Sequence, residues 1–241
     1  MNPAELHEYF KTTSGVETDS RLIKNDCLFF ALRGQNFDGN EFAVEAIKKG
    51  AKFAIVDRSS IAKKNNKLIL VEDSLKALQQ LAQYHRKQIA TKIIALTGSN
   101  GKTTTKELIL SVLSQKYKTR GTFGNLNNHI GVPLTLLKFD ENTEIGVVEM
   151  GANHTGEIDF LSKITDPNFG LVTNFGYAHL EGFGGFDGIV KGKSELYEYL
   201  IDKSGISFLN IDDPLQIKWQ NRLNSYTFGQ DNKANCKINY I

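Results

Sequence analysis

Short apolar runs recur along the chain, each closed by a polar or glycine-bearing turn, and between them lie stretches whose apolar residues repeat at helical spacing. Residues 27–32, 53–56, 68–71, 93–96, 145–150, 169–174 and 206–211 are such runs, and 226–229 and 237–241 read as two late ones. They predict strands, several of them apolar enough to be covered on both faces. A helix is predicted over 3–10, with Asn2 as its cap and Leu6, Tyr9 and Phe10 inward. Another covers 41–49, with Phe42, Ala46 and Ile47 inward and Gly50 as its stop. A longer one follows a cap at Asp73 or Ser74, with Leu75, Leu78, Leu81, Ala82, His85 and Ile89 on one side. Helices are also expected over 105–116, with Leu108, Ile109, Val112 and Leu113 inward, and over 156–164 and 188–201. Residues 63–67 and 121–133 read as loops, the second rich in asparagine. Strands alternating with helices predict an α/β fold with a mostly parallel sheet, which binds ligands at the carboxyl ends of its strands. A boundary near Ala90 separates a small α/β domain, 1–90, from a second domain, 91–241.

Composition narrows the class of partner. At 241 residues, 40% hydrophobic and 23% charged, the chain is an ordinary globular one. Its 29 Lys and Arg against 27 Asp and Glu give no electrostatic footprint for nucleic acid or an anionic membrane, so any polyanion must be held locally. Cys27 and Cys236 lie far apart without metal-ligand spacing, the N-terminus lacks a signal-peptide pattern, and no apolar run approaches the ~18 residues of a membrane span. The expectation is a soluble, cytoplasmic protein.

Residues 92–106, KIIALTGSNGKTTTK, bring a buried-strand pattern, a glycine loop and a helix start into immediate succession, the order of a nucleotide phosphate site. Gly98 and Gly101 allow a tight turn whose N–H groups face an anion, and the helix beginning near Lys102 adds its positive dipole end. The candidate loop is Gly98, Ser99, Asn100, Gly101, Lys102, Thr103 and Thr104, with Lys102 on the β/γ-phosphates and the Thr103 hydroxyl on Mg²⁺; Leu96 stands where the usual phosphate-loop pattern has its first glycine.

Other strand ends supply further candidates. Glu149 closes IGVVEM, where a carboxylate can hold Mg²⁺, and the valines before it argue against free exposure. His179, in NFGYAHLEGFGG, suits a second divalent ion or the ordering of a glycine-rich loop. Lys193, in KGKSELY, reads on its own as an ordinary surface lysine. Asn210 and Asp212 suit either a nucleoside or a turn before Pro214. The loop 33–40 either closes over a planar ring and its sugar or is a plain βα turn, and His85 reads as structural.

With TGSNGKTT at 97–104, NLNNHIGVP at 125–133, EMGANHTGEI at 149–158, NFGYAHLEGFGG at 174–185 followed by KGKSELY, and LNIDDP, the chain resembles the Mur ligases of peptidoglycan synthesis over essentially its whole length. The EMGANHTGEI block and the pairing of TDSR with LRGQNFDGNEF resemble the MurF type, which joins D-alanyl-D-alanine to UDP-N-acetylmuramoyl-tripeptide. The resemblance implies a UDP-substrate-binding domain over 1–90 and a phosphate-loop ATPase domain over 91–241. It implies Lys102, Glu149, His179 and Lys193 as catalytic, and Thr103, Glu149, His179 and Lys193 around two Mg²⁺ ions, with Lys193 carbamylated. Asn127 and Asn128 fall near the acceptor substrate. Asp19, Ser20, Arg21 and the loop Gly34, Asn36, Phe37, Asp38 and Gly39 correspond to the uridine pocket, and Asn210 and Asp212 to the adenosine. ATP then phosphorylates the terminal carboxylate, and the dipeptide amine attacks the acyl phosphate. A monomer is expected. The family carries a third, C-terminal domain with no counterpart here, so the expectation is two domains, the second incomplete, with little or no ligase activity alone. A family member that adds a single amino acid, and a non-catalytic module binding the UDP-substrate or a nucleotide, are the alternatives.

Overall fold

The structure, a computed structural model, describes residues 1–239, and the chain divides into two units, Met1–Gln88 with Leu136–Lys138 and Ile89–Thr135 with Phe139–Ile241. The α/β class and the parallel sheet expected from the sequence are both present. Among the described residues no helix is long and apolar enough to cross a membrane.

The first unit runs α1 (Pro3–Lys11), β1 (Val16–Glu17), β2 (Leu28–Phe30), β3 (Arg33–Gly34), β4 (Phe37–Asp38), α2 (Ala43–Lys48), β5 (Phe53–Val56), α3 (Ser59–Ala62), β6 (Leu68–Leu70) and α4 (Ser74–Gln88). A capping box starts α1: Asn2 Oδ1 accepts from the Glu5 N–H, and the Glu5 carboxylate accepts from the Asn2 N–H. Strands β1-β2-β5-β6 form a parallel sheet. All of Leu28, Phe29 and Phe30 are buried, because alternate residues face opposite helical layers. Phe29, Ala31, Ala54 and Val56 pack with Ala43 and Ala46 on α2 and its approach. Around α1 the expectation needs a correction: Tyr9 is exposed, edge-on to Phe53, and His7 takes its inward place. There His7 Nε2 lies 3.0 Å from His85 Nδ1 on α4, one imidazole donating and the other accepting. Residues 33–40, read as a loop, close into the β3–β4 antiparallel hairpin.

The second unit runs β7 (Lys92–Thr97), α5 (Lys102–Leu113), β8 (Thr119–Gly121), α6 (Gly131–Leu136), β9 (Ile145–Glu149), α7 (Glu157–Thr165), β10 (Phe169–Val172), α8 (Leu180–Phe183), α9 (Phe186–Asp202), β11 (Ile206–Asn210), β12 (Asn224–Gly229) and β13 (Cys236–Lys237). The predicted late strand over 237–241 is thus met at Cys236–Lys237, and residues 240–241 lie outside the described residues. Among the described residues its seven strands are parallel, in the order β13-β12-β11-β10-β7-β9-β8. β7 is central: the chain leaves it toward β8 and β9 on one side, then crosses to β10 on the other. That reversal opens a crevice at the carboxyl end of β7.

Two further expectations are corrected here. Residues 121–133 are not all loop, since β8 ends at Gly121 and α6 begins at Gly131. On α5, Leu108 and Val112 are exposed at 63% and 69%, while Ile109 and Leu110 pack on Leu96, Val147 and Leu171, and Lys106 is buried. Five apolar residues within 108–113 surround this helix, so spacing alone cannot choose the face that docks.

Candidate active site

β7 ends at Thr97, and the chain turns through Gly98 into α5. Gly98 has φ of +141°, and a Cβ there falls 2.0 Å from Thr173 Oγ1, so only glycine fits. The end of β10 ties the turn down. Ser99 donates its N–H to Asn174 O and its hydroxyl to Gly176 O (2.8 Å), while Asn100 donates its N–H to Asn174 Oδ1 (3.1 Å). Asn100 O accepts from Thr173 Oγ1 (2.7 Å) and Asn174 Nδ2 (3.0 Å). No side chain caps α5, leaving the N–H groups of its first turn to an anion. Lys102, its first residue, is half-buried and donates to Gly98 O (2.7 Å) and Ser99 O (3.1 Å). Burial pulls its pKa down against the opposing pull of the Glu149 carboxylate. Thr103 and Thr104 are exposed on the same turn.

Glu149, at the end of β9, is 1% exposed. Its Oε1 accepts from Asn127 Nδ2 (2.8 Å), whereas its buried Oε2 has no partner. Thr97 Oγ1, beneath the loop, is likewise buried and unpartnered. The Asn127 backbone carbonyl accepts from the Gly151 N–H, so the 125–128 segment is held against the end of β9. Asn128 Oδ1 accepts from the Ile130 and Gly131 N–H groups at the start of α6. Lys106 supports the same wall, donating to Thr122 O (2.7 Å), and the Thr122 hydroxyl accepts from the Glu149 N–H.

Lys193 is not the surface lysine that its local sequence suggests. It is 2% exposed, donates to Ala152 O (3.0 Å) and lies 5.0 Å over the Phe183 ring. Burial, aided by the charge of Lys102, pulls its pKa down to about 8. Two residues on, Glu195 reaches from α9 to α7, accepting from the N–H groups of Gly156 (2.5 Å) and Asp159 (2.9 Å). Sequence reasoning gave Glu195 no role; the only signal was an acidic residue beside Lys193 within KGKSELY. His179 is exposed in the left-handed region (φ +61°) immediately before α8.

Lys102, Asn127, Asn128 and His179 line one cavity of about 400 Å³, which Ala152, the partner of Lys193, also reaches. Asn125, His129, Asn153, Glu157, Phe160 and Leu161 complete much of its wall. Among the described residues no three His, Cys, Asp or Glu side chains cluster as a ready-made metal site. The orphaned Oε2 of Glu149 nevertheless offers what a hard divalent cation takes, a carboxyl oxygen without a competing donor.

Other candidates stand elsewhere. Asn210 Oδ1 accepts from the Asp212 N–H, and the Asp212 carboxylate accepts from the N–H groups of Gln230 and Asp231, so both side chains shape turns. In the first unit, Asp19–Arg21 follows β1 and the β3–β4 hairpin follows β2; these parallel neighbours present both segments at one carboxyl edge. Arg21 grips Asp19 and holds its carboxyl at about 2. Ser20 is buried, and its carbonyl accepts from Lys49. Phe37 stacks on Phe42 at 5.3 Å, with Gly34 and Asn36 exposed beside it. Asp38 accepts from the Asn40 N–H and side-chain amide and pairs with Arg58. A Cβ at Gly39 meets Leu32 O at 2.7 Å, a close approach that excludes larger residues.

The chain is similar in sequence and fold to known proteins. Residues 96–240 match the Mur ligase middle domain, and residues 12–86 match the Mur ligase family, catalytic domain. The UDP-N-acetylmuramoyl-tripeptide–D-alanyl-D-alanine ligase of Bacillus subtilis is 41% identical over 90% of this chain and 48% of its own length. That of Escherichia coli is 41% identical over 89% and 47%. The crystal structure of MurF from Acinetobacter baumannii superposes with a TM-score of 0.82 at 36% identity, covering 95% of this chain and 53% of that one. MurF ligase from Thermotoga maritima, solved in complex with ADP, gives 0.82 at 33% identity over 92% and 51%. The chain spans about half the length of the curated relatives it matches. With a family match over most of the second unit and another over most of the first, the chain belongs to the Mur ligase family.

Proposed function

We propose that this chain supplies the ATP-binding and UDP-substrate-binding parts of a cytoplasmic ligase of the MurF type, one that joins D-alanyl-D-alanine to UDP-N-acetylmuramoyl-tripeptide. The observation that carries the reading is the meeting, at the end of β7, of an uncapped helix start, Lys102 and a buried carboxylate with a spare oxygen. The loop N–H groups and Lys102 bind the ATP phosphates and offset the charge gathered as the tripeptide carboxylate attacks the γ-phosphorus. Thr103, Glu149, His179 and Lys193 are the residues to hold Mg²⁺, which when bound supplies further charge neutralisation to the phosphates. Asn127 positions Glu149, and Asn127 and Asn128 face the acceptor substrate across the cavity. The dipeptide amine then displaces phosphate from the acyl phosphate.

Lys193 takes part through its lowered pKa, about 8, which leaves a useful fraction of neutral amine near neutral pH. The ammonium loses one proton to give that amine, the lone pair forms an N–C bond with CO₂ and a second proton is released, turning a cation into a carboxylate-like ligand. In the first unit, Asp19, Ser20, Arg21 and the β3–β4 hairpin bind the uridine nucleotide, and Asn210 and Asp212 shape the turn that meets the adenosine. The protein works as a monomer. Isothermal titration tests the reading: ATP with Mg²⁺ and the UDP-tripeptide each bind this chain with separate saturable heats, and failure of both to bind overturns it.

A further inference from the structure

Glu157 and Phe160 have no role so far, yet both line the cavity that Lys102 enters. Glu157 opens α7, and its Oε2 accepts from the N–H groups of Asn153 (2.6 Å) and His154 (3.2 Å). Its Oε1 has a looser contact, 3.4 Å from His154 Nδ1, and the side chain is 45% exposed, so this oxygen has acceptor capacity to spare. Burial raises the carboxyl's pKa, but the two backbone donors outweigh it and keep the group ionised.

Three residues on, on the same helical face, Phe160 is 41% exposed beside the buried Leu161. A large aromatic left open on a cavity wall marks where an apolar part of a ligand goes. The cavity therefore has a cation, Lys102, a carboxylate, Glu157, amide side chains on its wall and an apolar patch beside the carboxylate.

We propose that Glu157 and Phe160 form the subsite for the attacking end of the incoming dipeptide, the Glu157 carboxylate holding its ammonium and the Phe160 ring covering its methyl group. This rests on the ligase reading above. The ammonium releases one proton to solvent, and the nitrogen lone pair forms the C–N bond to the acyl carbon. The C–O bond to phosphate breaks with its electron pair, and the departing phosphate takes the second proton from nitrogen. Glu157 thus collects the amine beside the phosphate end without becoming part of the bond that forms.

The test is an NMR titration of this chain with D-alanyl-D-alanine and with N-acetyl-D-alanyl-D-alanine, which lacks the ammonium. The free dipeptide shifts resonances of α7 and binds about tenfold more tightly than the acetylated one, as expected for a charge-assisted contact. Glu157→Gln abolishes that preference, and Phe160→Ala weakens both dipeptides while its folded spectrum is retained. Equal affinities in the wild-type chain, absence of dipeptide binding, or a preference that survives Glu157→Gln overturns the assignment. ATP with Mg²⁺ titrated into the same samples separates the two readings. Nucleotide binding without amine discrimination sinks the subsite alone, whereas loss of both nucleotide and UDP-tripeptide binding sinks the ligase reading.

Discussion

At the edge of the first sheet, Asp19 pairs with Arg21, Asp57 with Arg33 and Asp38 with Arg58; Arg21 lies largely in solvent, while Arg33 and Arg58 are half-exposed over carboxylates that are mostly buried. At the end of β7 the charges are handled differently. Glu149, Lys193 and Lys106 are at most 2% exposed; Lys193 donates to a backbone carbonyl, Lys106 to a backbone carbonyl and to the Glu107 carboxylate, and Glu149 keeps one oxygen unpartnered. A pair whose arginine reaches solvent is screened there and costs less to rearrange when a ligand arrives than a fully buried charge does. A buried charge with a spare acceptor costs folding energy, which a bound cation recovers. The first edge is thus adaptable, and the second is preorganised at the expense of stability.

The contrast breaks most visibly at Lys102. Lys102→Ala should weaken ATP–Mg²⁺ binding by at least ~100-fold in isothermal titration, because charge-assisted contacts to phosphate vanish; retained affinity would show that the loop N–H groups suffice. Glu195→Ala should cost ~2–3 kcal/mol in denaturant unfolding of the second unit, since two N–H groups at the start of α7 lose their acceptor. A change below ~0.5 kcal/mol would mean that water replaces the carboxylate without loss. Glu149→Gln should act in the opposite direction, raising stability by ~1 kcal/mol, or ~2–4 °C in melting temperature, while abolishing Mg²⁺-dependent tightening of nucleotide binding. A lower melting temperature would contradict the view that Glu149 is held at a cost.

Two smaller effects belong to the first unit. Burial, and then His85, hold the His7 pKa below its ordinary 6.5, with Lys11 acting in the same sense and Glu8 against it. The unfolded chain therefore binds more protons, so stability is retained above 6.5 and lost as pH falls from there toward the folded value. Urea unfolding followed at α1 from about pH 7.5 to about pH 5 checks this, and a flat profile excludes it. Arg21→Ala should leave the melting temperature unchanged and let the Asp19 carboxyl rise from about 2 toward its ordinary range, which an NMR titration reads.

The phosphate loop is legible in sequence because strand, glycines and helix start are adjacent, and the burial of Glu149 because two valines precede it. Lys193 and Glu195 are not, since their burial depends on α9 docking against α7 and the segment before it, whose facing residues lie 36 to 41 positions away. The local string KGKSELY carries none of that. α6 escapes because GVPLTL begins with glycine and carries proline, which a helix tolerates in its first turn. The docking face of α5 escapes for the reverse reason, an excess of apolar residues, and the buried Lys106 is met by Thr122 O and the Glu107 carboxylate.

The central place of β7 has a consequence in time as well as space. Hydrogen-bonded to β9 on one side and β10 on the other, its amides have no free edge from which to open and should be among the slowest in the second unit to exchange with solvent. The phosphate loop hangs from that strand and is laced to the segment after β10. Nucleotide arrival should therefore be felt as rapid side-chain rearrangement around Lys102, with the platform beneath it keeping the same slow clock whether empty or occupied.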